Sequence, residues 1–131
     1  REEALARLAS RYFQSHSPAQ LQDFVWWSGL TATECRLAIN LIKKELMTET
    51  FDSREYFIHQ SWKGKNESEP VLRLLPAFDE YLISYKNRTD VLPLEHHSKA
   101  FNRFGTFYPV ILYNGKIIGN WSRSIKKTPF K

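Results

Sequence analysis

The residues of this 131-residue sequence with the most obvious chemical potential sit in FDEYLISYKNR, which supplies Asp79, Tyr81, Tyr85 and Arg88. A carboxylate beside Phe78 and two tyrosines would act as a base of raised pKa if it lost its water. The same Asp at the start of a short helix accepts backbone N–H groups, and the sequence favours that structural use. His16, His59, His96 and His97 fall in no metal pattern, since neither H-E-x-x-H nor Cys-x-x-Cys occurs. No Gly-rich phosphate loop is present, so no metal or organic cofactor is expected. Cys35 lies on the apolar side of a predicted helix and reads as inert packing.

Basic and amide side chains form a second group. Arg36, Asn40 and Lys43 stand at i, i+4 and i+7 and share one helix face, with Thr33 at its start. In a helix-turn-helix the second helix enters the major groove, where Arg pairs with guanine, Asn with adenine and Lys mostly with phosphate. An ordinary solvated helix face carries the same pattern, and both readings stand at this level. Arg54 on a predicted hairpin, and Lys116, Arg123, Lys126 and Lys127 on and after another, are placed to follow a phosphate backbone. Lysine on an edge strand also guards against aggregation, the alternative for Lys116. Residues 1–60 hold 7 Lys/Arg and 8 Asp/Glu, residues 61–95 hold 5 and 6, and residues 96–131 hold 7 and none. The net charge of +5 thus belongs to the last third. Such a surface suits a polyanion, nucleic acid first and an acidic protein second, with double-stranded DNA the partner expected; a solvated tail that has lost an acidic neighbour is the bland alternative.

Three helices must position these groups. Leu5, Leu8, Ala9, Tyr12 and Phe13 stripe a helix from about Glu2 to Ser15. Ser17 as cap, Pro18 as first residue and Gln20 as capping-box partner predict a second helix over Pro18–Ser28, closed by Gly29. Its apolar face is Leu21, Phe24, Val25 and Trp27. Thr31 and Glu34 form another capping box, opening a helix over Thr33–Leu46 that buries Cys35, Ala38, Ile39, Leu41, Ile42 and Leu46. Met47–Phe51 and Glu55–Gln60 around Asp52-Ser53 predict a β-hairpin. Three helices and a hairpin wing make a winged helix at 1–61. The polar run 62–70 reads as a linker. Beyond it, Val71–Leu75 reads as a strand, Phe78–Tyr85 as a short helix, with a strand as the alternative, and Asn87–Lys99 as loop. Phe107–Tyr113 and Lys116–Trp121 form a hairpin around Asn114-Gly115, a pair suited to a type I′ turn. The fold class expected is α+β, a winged helix-turn-helix followed by a small, partial β-barrel-like region at 71–131.

Three blocks, RYFQSHSPAQLQDFVWWSGL, LRLLPAFDEYLISYKNR and GTFYPVILYNGKIIGNW, resemble consecutive parts of a bacterial winged-helix DNA-binding family. It includes the AlkZ-type and YcaQ-type DNA glycosylases, which unhook interstrand crosslinks. Related sequences carry Pro in place of Glu80 and Gly in place of Ser84. The resemblance implies a DNA-repair protein of several tandem winged helices, of which this chain is an internal or C-terminal piece that binds the remaining domains of its parent. A start without Met inside a helical pattern agrees with an excised piece. The family's Gln-x-Gln or Gln-x-Asp element belongs to its first winged helix; Gln20-Leu21-Gln22 stands in a different block. The resemblance therefore carries over a scaffold and no catalytic residue. The parent is expected to be a monofunctional glycosylase and this piece alone to be inactive; the rival is a non-catalytic, transcription-factor-like or protein-docking module. A single cysteine fits a reducing, cytoplasmic setting, and no run of 18 apolar residues suggests a membrane span.

Overall fold

The computed structural model describes residues 1–62 and 70–125. The chain is a mixed α+β protein of two compact units: Arg1–Ser68 with Ile83–Asn87, and Glu69–Leu82 with Arg88–Lys131. Ile83–Asn87, which a division of the sequence at 62–70 assigns to the second region, groups with the first.

In the first unit, α1 (Glu2–His16) buries Leu5, Ala9, Tyr12 and Phe13. The next helix, α2 (Leu21–Ser28), begins three residues later than the sequence predicts. Ser17 is not its cap. The Ser17–Pro18 peptide is cis, and Ala19 runs extended and exchanges both backbone hydrogen bonds with Phe57, at 3.1 and 2.8 Å. The Ser17 hydroxyl donates to the Phe13 carbonyl and accepts from the His59 N–H. Pairing with a strand nearly forty residues away therefore wins over a local helix start. Gln20 becomes the cap, and the Asp23 carboxylate accepts its N–H at 2.9 Å. Gly29 closes α2 at φ 70, where a side chain would be strained, and its N–H donates to the Val25 carbonyl.

The capping box at Thr31 and Glu34 opens α3 (Ala32–Leu41) as predicted. Its end is not as predicted. Ile42 leaves helical geometry, Lys43–Glu45 form a 3-10 turn, and Leu46 pairs with His59. The apolar spacing runs on through Leu46, but strand pairing takes that residue instead. Leu41 is left 40% exposed, whereas Cys35, Ala38, Ile39 and Ile42 are buried. The antiparallel strands β1 (Leu46–Phe51) and β2 (Arg54–His59) turn at Asp52 and Ser53, both at positive φ. Trp62 closes the unit by donating its indole N–H to the Gln14 carbonyl at 2.8 Å. The rest of the predicted linker, 63–69, lies outside the described residues.

In the second unit, an open three-stranded antiparallel sheet has the order β3 (Leu72–Leu75), β4 (Val110–Tyr113), β5 (Lys116–Asn120). Asn114 and Gly115, at φ 48 and 79, make the tight turn that the sequence predicts. Pro109, with no N–H to pair, holds the start of β4 back to Val110, so Phe107 is not in the strand. α4 (Glu80–Ile83) is shorter than the predicted Phe78–Tyr85 helix. The stretch read as loop contains a 3-10 turn, Leu94–His96, and α5 (His97–Ala100). Pro93, at φ −57, presets that turn. Leu82, Leu92, Ala100, Phe107, Val110 and Ile117 are its buried apolar side chains.

Candidate nucleic-acid interface

The exposed side of α3 is the best-defined basic and amide surface of the first unit. Thr33, Arg36 and Asn40 are exposed on the helix, and Lys43 follows on the 3-10 turn. Arg36, Asn40 and Lys43 line one shallow cleft of about 300 Å³, together with Leu21, Ile39, Glu55 and Phe57. The predicted i, i+4, i+7 alignment thus survives the early end of the helix. Its foundation is the capping box. The Glu34 carboxylate accepts from the Thr31 N–H at 3.0 Å and the Thr31 hydroxyl at 2.9 Å. Those bonds, with Arg1 beside them, hold its carboxyl below the usual range.

The hairpin tip differs in sign. Arg54 lies 3.8 Å from Asp52 and over the Tyr56 ring at 5.7 Å. Glu49, Asp52 and Glu55 share the hairpin with it. Counted over described residues, the first unit carries eight Lys/Arg and eight Asp/Glu, and the second six and four. In the second unit Lys116 donates to the Asp90 carbonyl, and Arg123 is exposed beyond β5. Lys126 and Lys127 lie outside the described residues.

The groups of the tyrosine-flanked block each hold a structural partner within their own unit. Asp79 accepts the Tyr81 N–H at 2.9 Å, the helix-start role favoured from sequence. Tyr81 donates to the Gly115 carbonyl, and Tyr85 donates to the His16 carbonyl. The Arg88 guanidinium donates to the Leu82 carbonyl and lies over Phe101 and Phe107 at 4.9 and 5.2 Å. The four histidines each meet different neighbours. His16 stacks on Tyr12 at 4.7 Å, His59 meets Ser61 and Glu45, His96 sits beside Glu95, and His97 meets the Leu92 carbonyl. Cys35 is fully buried, and that burial pushes its thiol pKa up.

A family model described as DNA glycosylase AlkZ-like matches residues 1–128. The chain belongs to the AlkZ-like DNA glycosylase family. A curated relative, the interstrand DNA cross-link repair glycosylase of Streptomyces sahachiroi, is 26% identical over 139 residues, covering 98% of this chain and 38% of the relative. The solved structure of Streptomyces sahachiroi DNA glycosylase AlkZ matches with a TM-score of 0.81 at 23% identity, over 92% of this chain and 34% of that one. The second match supports the α+β fold. This AlkZ-like chain spans little more than a third of the length of either protein.

For an AlkZ-like chain the Gln20-Leu21-Gln22 string invites comparison with the family's Gln-x-Gln element. Gln20 is buried at the N-terminus of α2, with its amide nitrogen making no hydrogen bond, and Gln22 is exposed. Sequence reading passed over Asp23, which is 2% exposed. Besides Gln20, it accepts from the Lys86 and Asn87 N–H groups, at 2.9 and 3.2 Å. It also passed over Trp26, which donates its indole N–H to the Ile83 carbonyl at 2.9 Å. The available signal was an Asp three residues after a capping Gln; the partners near residue 86 left none.

Proposed function

We propose that this AlkZ-like chain is a winged-helix DNA-binding segment of a larger glycosylase-like protein that acts on alkylated or crosslinked DNA. The observation that carries this reading is the α3 face: Thr33, Arg36 and Asn40 lie exposed on α3 and Lys43 on the turn that follows it, and we read α3 as the second helix of a helix-turn-helix. The β1–β2 hairpin is the wing, and the antiparallel sheet of the second unit is the start of a barrel-like region. Arg36 and Asn40 approach base edges, and Lys43 meets phosphate. Lys116, Arg123, Lys126 and Lys127 add contacts to duplex phosphates, and Arg54 approaches from the wing. The rest of the parent chain supplies the catalytic residues. The chain alone excises no base, for excision needs an extruded nucleotide and a positioned water. The lone, buried Cys35 suits a reducing cytoplasm.

Duplex binding measured across a salt series tests the reading. Neutralising Arg123, Lys126 and Lys127 together flattens the log–log salt slope by about two to three if each meets a phosphate. Arg36→Ala and Asn40→Ala weaken binding by about 1–3 kcal/mol each if they reach base edges. A second reading is favoured by the acidic hairpin, where Glu49, Asp52 and Glu55 outnumber Arg54: the wing docks protein rather than DNA. No duplex binding by the parent chain even at low salt would support that reading instead.

A further inference from the structure

A groove of about 470 Å³ runs between α2 and α3, lined among others by Leu21, Gln22, Val25, Trp26, Arg36 and Lys86. Its lining among the described residues includes two cations and no carboxylate. Trp26 is 53% exposed, yet its indole N–H is held by the Ile83 carbonyl, which fixes the ring's tilt. Lys86 is placed from the other end, because the Asp23 carboxylate fixes its backbone N–H. A held, half-exposed indole beside Leu21 and Val25, with Arg36 and Lys86 in the same lining, combines a stacking platform with cations for a phosphate.

We propose that this groove takes one nucleotide of single-stranded DNA, its phosphate between Arg36 and Lys86 and its base against Trp26. The proposal rests on the DNA-binding reading and extends it to residues that the α3 face does not include. Gln22 supplies an amide for the edge of the stacked base. Arg36 lines both this groove and the cleft beside Asn40 and Lys43, so one guanidinium serves both surfaces. An acidic amphipathic helix is the rival occupant. The groove favours the nucleotide because its aromatic platform is a single exposed ring flanked by cations rather than a continuous apolar trough.

The test is fluorescence anisotropy of the 131-residue chain with a labelled oligothymidylate of about ten nucleotides and, in parallel, a hairpin duplex. Circular dichroism confirms that each variant is folded. Trp26→Leu weakens oligothymidylate binding at least about fivefold, the lower end for base–aromatic stacking, and Trp26→Phe restores most of it. Lys86→Gln lowers the single-strand salt slope by about 0.7, and Lys86→Arg does not. Duplex binding by these variants stays within about twofold of the parent chain, since P-backbone contacts outside the groove carry it. Duplex binding without oligothymidylate binding would overturn the groove assignment alone. Binding to neither probe would remove the DNA reading as well. Equal losses on both probes would assign the groove to duplex backbone. Capture of a synthetic Glu/Leu helix, lost in Trp26→Leu, with no oligothymidylate binding would make it a peptide site.

Discussion

Replacing Asp23 with alanine removes one buried acceptor that serves three backbone donors, those of Gln20, Lys86 and Asn87. Hydrogen bonds to charged groups contribute about 1.5–3 kcal/mol each, and a buried donor left without a partner adds its desolvation penalty. The Gln20 N–H belongs to a buried residue and counts in full. Lys86 is exposed and Asn87 half-buried, so water partly compensates their N–H groups. A negative charge in the first turn of α2 adds about 0.3–1 kcal/mol. The expected loss is about 2–4 kcal/mol. With a urea m-value of about 2 kcal/mol/M, the midpoint falls by roughly 1–2 M. A Trp121→Phe background makes tryptophan fluorescence report the first unit, which holds Trp26, Trp27 and Trp62. Asp23→Asn keeps an acceptor oxygen but turns an N–H2 toward one donor set, and should fall between the parent and the alanine variant. An alanine variant within about 0.5 kcal/mol of the parent would refute the reasoning.

Two further outcomes follow from the same geometry. Because the folded-state carboxyl of Glu34 is depressed by the Thr31 bonds, its stabilising contribution is complete above the ordinary glutamate value and is lost as pH falls through the depressed one; acid unfolding of Glu34→Gln should therefore lack the part of the pH dependence that the parent shows in that window, and identical acid limbs would contradict this. Burial and the raised thiol pKa predict that Cys35 reacts with a disulfide reagent at neutral pH only as fast as the first unit opens; labelling at the rate of a free thiol, with no dependence on denaturant, would contradict this.

Features whose chemistry closes within a few residues were legible in the sequence. Thr31 and Glu34, Gly29, Asp52-Ser53 and Asn114-Gly115 all do locally what their types require. What escaped was each place where a distant partner overrides a local preference. Ser17 and Pro18 look like a helix start, yet Ala19 pairs with Phe57. The apolar period through Leu46 looks helical, yet Leu46 pairs with His59. The α3 face was legible because helical spacing alone aligns Arg36, Asn40 and Lys43, whereas the groove beside it was not, because Lys86 arrives from far along the chain.

The return of Ile83–Asn87 to the first unit has a consequence for synthesis. A chain that has emerged only to Trp62 already holds α1, α2, α3 and the hairpin, but the Asp23 carboxylate still lacks two of its three donors. Trp26 still lacks the Ile83 carbonyl, and His16 still lacks the Tyr85 hydroxyl on its own carbonyl. The first unit therefore matures late, after β3 has left the ribosome, and until Ile83–Asn87 arrive the Asp23 carboxylate takes its missing hydrogen bonds from water. Vectorial growth thus couples the first unit's completion to the translation of residues that belong to the second.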